Sequence, residues 1–166
     1  NAISNVDRVG AGRVLKVPGL PKVDVSRLPV RLQEQPDRIS LIPRFDSEAR
    51  RFGVPPDLLK AVTWLESGWQ NDKVSSTNAV GIGQLMPDTV AFVNQRLLRA
   101  NLDPGRPDHN IRMSARFLAY LLQRSGGDVP RAVASYYQGP ASVDRSGPLP
   151  ETEHYVANVL ALRKKF

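Results

Sequence analysis

The sequence predicts a mainly helical single domain with an extended N-terminal arm, and three observations carry that expectation. Apolar residues recur at helical spacing from about residue 46 onward, Gly and Pro punctuate the recurrences, and no run in that part alternates polar with apolar as a half-buried strand would. Size agrees with them: 166 residues with 41% apolar side chains suffice for one domain with a sizeable core plus some extension.

Composition removes several chemistries. No run approaches the ~18 uninterrupted apolar residues of a membrane span, so a soluble chain is expected. Cysteine is absent, which excludes disulfides, thiolate-bound zinc and thiol nucleophiles, while His109 and His154 are too few and too far apart to suggest a metal cage. No metal or organic cofactor is expected, and acid/base work must rest on carboxylates, hydroxyls or tyrosines. The formal charge of +7 is spread along the chain without basic and aromatic residues interleaved on one face. It argues for attraction to a polyanionic surface rather than for a nucleic-acid interface. The chain opens at Asn1 with neither Met nor a basic and apolar leader, so the compartment is not readable from this end.

Taken in order, residues 1–45 carry Pro18, Pro21, Pro29, Pro36 and Pro43 and hold no helical period beyond two turns, which reads as an arm or linker. Its removal is expected to leave the rest folded. The compact domain is expected over residues 46–166. A short helix starts near Asp46 and stops at Gly53, and a second begins at Pro55-Pro56. Further helices fit residues 87–101, 110–125, 129–136 and 151–163, separated by "LDPGRPDH", "SGGD" and "QGPASVDRSGPLP".

The helix from Pro56 places Leu58, Leu59, Val62 and Leu65 on one apolar face, and Glu66 follows Val62 by four residues, so its carboxylate starts from the core side. Partial burial and the negative end of the helix dipole both raise the pKa of such a carboxyl, as a general acid requires. A solvated Glu rolling off a helix end fits this feature alone equally well. Gly68 then supplies a turn, and Trp69 offers a flat face of the kind that stacks on sugars. In "SSTNAVGIGQLMP", Ser75 and Ser76 can bond a substrate hydroxyl or the Glu66 carboxyl, Gly81 and Gly83 permit close backbone approach, and Gln84 brings a donor and an acceptor. On composition, Met86 reads as core filler.

These residues resemble the soluble lytic transglycosylase family of peptidoglycan-cleaving enzymes. Glu66-Ser67, Ser75 nine residues after Glu66, and Gly81 to Gln84 before Leu-Met-Pro follow the family pattern in order and spacing. "FGVPPDLLKAVTWLESG", "NIRMSARFL", "AVASYYQGP" and "PETEHYVANVL" extend the similarity over roughly 120 residues. Tyr136 and Tyr155 fall on the family's active-site tyrosines. Three positions depart from the pattern: Tyr137 stands for the usual Asn, Gly83 for a bulkier apolar residue, and Ser114 for Gly. Residues 1–19 also resemble the C-terminal half of a LysM peptidoglycan-binding module.

The resemblance implies a lysozyme-like catalytic domain that cleaves peptidoglycan outside the cytoplasm, acting as a monomer on glycan strands. It implies Glu66 as general acid and then base, with Ser75, Gln84, Met86, Tyr136, Tyr155 and Trp69 as substrate-binding residues. Two alternatives stay open: a hydrolytic muramidase, which in the usual scheme needs a second carboxylate such as Asp72, Asp88, Glu151 or Glu153, and a non-catalytic glycan-binding domain of the same fold.

Overall fold

The computed structural model describes residues 23–166, so the LysM-like stretch at 1–19 lies outside the described residues. The chain is mainly helical, and proline marks where its helices begin. From the second helix onward, each α-helix has Pro at its first or second position, where the missing N–H costs no intrahelical bond.

Residues 23–45 correct the expectation of an extended arm. A 3₁₀ turn at Val25–Arg27 leads into α1 (Val30–Gln33), α2 (Pro36–Ile39) and α3 (Ile42–Phe52). Leu28, Leu32, Ile42 and Phe45 are buried in the same cluster as Leu58, Leu59 and Val62. The prolines in this stretch start short helices, and helices of four residues are too brief to display a period. The boundary at residue 46 therefore falls inside α3, and the segment from Leu28 is part of the core.

Helix α3 ends at Gly53 in the left-handed conformation (φ 70°), as its sequence implies. Next comes α4 (Pro56–Ser67), then a long loop, then α5 (Pro87–Phe92) with a π-helical continuation at Val93–Leu98. Helix α6 (Pro107–Arg124) starts one turn earlier than its periodicity suggests, and α7 (Val129–Gln138) runs two residues longer. The stretch read as a connector contains α8 (Pro140–Ser146), and α9 (Pro150–Arg163) closes the fold.

Two apolar clusters hold these elements. The larger joins the N-terminal helices, α4, α6, α7 and α9 through residues such as Phe45, Leu58, Ile111, Leu118, Val133 and Val159. The smaller, around Leu85, Val93, Met113, Phe117 and Leu121, seats the α5 segment on α6. Arg163 pairs with Asp57 at 2.7 Å and ties the end of α9 to the start of α4. Among the described residues no helix is long and apolar enough to cross a membrane.

Candidate active site

Glu66 lies on the last turn of α4, which Gly68 stops in the left-handed conformation (φ 64°). The Gly68 carbonyl accepts a hydrogen bond from Arg38 of α2 (3.1 Å), so the N-terminal segment secures the turn beside Glu66. The Glu66 Oε1 accepts a 2.5 Å hydrogen bond from the Tyr155 hydroxyl, which α9 delivers across 89 positions of sequence. Burial pushes the Glu66 carboxyl up to about 7, against smaller lowering effects from the Tyr155 hydrogen bond and the Lys73 charge. Lys73 is held close because its Nζ donates to the Glu66 backbone carbonyl at 2.7 Å. Asp72, Asp88, Glu151 and Glu153 are all exposed.

Tyr136 and Tyr155 stand on the helical side of the site. Burial, and then the Glu66 charge, raise the pKa of both phenols, so both hydroxyls stay protonated and available as donors. Tyr136 donates to the Gly83 carbonyl at 2.9 Å. Tyr137 lies flat against Tyr155, with ring centroids 4.5 Å apart and planes 21° apart.

The loop after Gly68 meets the helical side at the Tyr136–Gly83 bond, and polar side chains shape it. Ser67 is buried, donates to the Ile82 carbonyl (2.8 Å) and accepts from the Gln70 N–H (3.1 Å). Asn110, fully buried on α6, accepts from the Gly83 N–H (2.8 Å) and donates to the carbonyls of Val80 and Pro104 (both 3.0 Å). Single antiparallel bridges join Val74 to Val80 and Val80 to Leu85. Gly81 needs its freedom: φ is 74°, and a Cβ there would lie 2.4 Å from the Asn110 amide nitrogen.

The structure redistributes the residues named from sequence. Trp69 is not a sugar platform. It is 2% exposed, packs against Phe45, Trp64 and Phe166, and donates from Nε1 to Thr63 Oγ1 (3.0 Å) and the Lys60 carbonyl (3.2 Å). Ser75 Oγ accepts from the Thr77 and Ala79 N–H groups (3.2 and 3.0 Å) and so organises its own turn instead of bonding Glu66. Gln84 adopts φ 44° and donates to the carbonyls of Gly81 and Lys73 (2.9 and 3.1 Å). Met86 is 42% exposed, so it is not core filler. Sequence reasoning missed the clamp role of Ser67 and Asn110; a polar residue on the apolar face of a helix was the available signal.

Fold and site together define a helical domain with one raised carboxyl set between tyrosines and a polar-clamped loop. The chain belongs to the transglycosylase SLT domain family, whose sequence profile matches residues 43–154. It is 29% identical over 128 residues to a soluble lytic murein transglycosylase of Escherichia coli K12, a match covering 65% of this chain and 20% of that protein. The fold superposes on the lytic transglycosylase Slt of Pseudomonas aeruginosa, solved as an inactive mutant, with a TM-score of 0.68 and 27% identity over 73% of this chain and 23% of that one. The 70 kDa soluble lytic transglycosylase of Escherichia coli gives a TM-score of 0.63, with 27% identity over 71% of this chain and 23% of that one. The matched region is thus about a fifth of the curated relative's length.

Two departures from the family pattern prove to be neighbours. A Cβ on Gly83 would lie 2.0 Å from Ser114 Oγ and 2.8 Å from the Tyr136 hydroxyl. Ser114 Oγ thus occupies the space that a side chain at position 83 would need.

Proposed function

We propose that this chain is a peptidoglycan lytic transglycosylase, and the Glu66–Tyr155 pair is the observation that carries the reading. A carboxyl raised to about 7 is protonated through much of the neutral range and can give its proton to a leaving group. Glu66 protonates the oxygen of the β-1,4 bond between N-acetylmuramic acid and N-acetylglucosamine, and that C–O bond breaks. Positive charge at the anomeric carbon is met by the substrate's own N-acetyl carbonyl. The Glu66 carboxylate then removes the proton of the muramic acid C6 hydroxyl, whose oxygen bonds the anomeric carbon. The products are a free 4-hydroxyl and a 1,6-anhydro end, Glu66 is again protonated, and no water is consumed.

Tyr155 holds the Glu66 carboxyl in one orientation and helps stabilise the carboxylate between the two proton transfers. Gln84, Met86, Tyr136 and Tyr155 contact the glycan on this reading, while Ser75 shapes the loop that presents Gln84. On this reading the protein acts outside the cytoplasm, on glycan strands and as a monomer.

Mass spectrometry of muropeptides released from purified peptidoglycan tests the reading. Anhydromuropeptides, lighter by one water, are expected from the wild-type chain, and Glu66→Gln should reduce their release by at least about a hundredfold while keeping the fold. Reducing-end products would overturn it in favour of hydrolysis, and no release would favour a binding domain.

A further inference from the structure

We propose that Tyr137 is a sugar-binding residue beside the Glu66–Tyr155 pair, its outer ring face stacking on an N-acetylhexosamine of the glycan strand. The inference rests on the glycan substrate of the preceding reading. Tyr155 is 8% exposed and bonds Glu66, whereas Tyr137, stacked directly on it, is 49% exposed. One ring face is covered by Tyr155, which leaves the other side to solvent a single ring's thickness from the residue that holds the acid. The C–H face of a pyranose and the electron-rich face of a phenol are complementary.

The platform is held still from behind. Gln138, the next residue, donates to Ser142 Oγ (2.9 Å) and the Gly147 carbonyl (3.0 Å), and accepts from the Leu149 N–H (2.9 Å) and Thr152 Oγ1 (2.8 Å). The end of α7 is thereby pinned to the start of α9, and the stacked ring has little freedom left to lose when a ligand arrives. An Asn at position 137, as in the family pattern, would present an amide and no such face.

The experiment is calorimetric titration of a β-1,4-linked N-acetylglucosamine pentasaccharide into the Glu66→Gln chain, alone and with Tyr137→Phe, Tyr137→Trp, Tyr137→Asn or Tyr137→Ala. The aromatic replacements should keep the affinity within about threefold, and Ala and Asn should weaken it by about tenfold. In the active chain the loss should fall on KM more than on kcat, with the pH dependence unmoved. Unchanged affinity in Tyr137→Asn and Tyr137→Ala overturns the inference. So does a loss confined to kcat with a shifted pH limb, which would make Tyr137 only a support for Tyr155. Melting temperatures identify any variant that fails to fold, and the Trp and Asn pair still decides the question if Ala does. If the parent binds no pentasaccharide and the wild-type chain releases no muropeptide, this inference and the glycan reading both fall. Anhydromuropeptide release with unchanged Tyr137→Ala affinity removes this inference alone.

Discussion

The two groups of residues around Glu66 are built on different physics. On one side α7 and α9 carry Tyr136, Tyr137 and Tyr155 on regular backbone, positioned by the packing of Val133 and Val159 in the core. On the other, residues 68–86 have almost no regular structure, and their path is set by side chains borrowed from elsewhere: Arg38, Ser67, Asn110 and Tyr136. Helix packing spreads the energy of placement over many weak contacts. Polar clamping concentrates it in a few buried groups, each costly to orphan.

The widest test of that contrast is deletion of residues 1–45. It removes Leu28, Leu32, Ile42 and Phe45 from the core and Arg38 from Gly68, so the remainder is expected not to fold cooperatively. A cooperative thermal transition by circular dichroism in the truncated chain would contradict the packing described. Next is Trp69→Ala at the root of the loop, which should destabilise by about 3–5 kcal/mol in denaturant titrations. Were Trp69 a glycan platform, the same change would cost activity with stability intact.

A smaller effect belongs to the seam itself. The Glu66 carboxyl sits near 4.5 when unfolded and at about 7 when folded. A group raised on folding contributes its full share of stability below the unfolded value and loses it as pH rises through the folded one. Wild-type stability should therefore fall between about pH 4.5 and 7, and Glu66→Gln should be the more stable chain above pH 7 by on the order of 2–3 kcal/mol. Equal stability across that window would remove the burial argument for Glu66. The smallest expected effect is at the loop–helix contact: Gly83→Ala should destabilise by about 1–3 kcal/mol through overlap with Ser114, and adding Ser114→Gly should recover most of it. Simple additivity in that double-mutant cycle would mean the two positions are not coupled.

The same contrast explains what was legible in the sequence. The burial and raised pKa of Glu66 were legible because its helix has an unbroken apolar face and a Gly stop, both local signals. Tyr136 and Tyr155 emerged only through family resemblance, since nothing local in residue 155 refers to residue 66. Trp69 was misread because a polar, Gly-rich neighbourhood implies exposure, whereas its positive φ of 62° turns the indole back into the core. The N-terminal helices escaped notice because prolines that begin helices and prolines that break them look alike when the helix is one turn long. Asn110 was visible only as the head of a motif; its two bonds to the loop depend on a turn 27 to 30 residues away.

The span between Glu66 and Tyr155 also has a temporal side. Contacts separated by 89 positions form late, because the intervening chain must already be ordered before its ends meet. As the polypeptide emerges from the ribosome, α4 is made long before α9, and until α9 docks the carboxyl has neither its hydroxyl partner nor the stacked rings beside it. The surroundings of Glu66 are therefore completed by a helix made well after its own, and a chain halted before that point carries Glu66 without them.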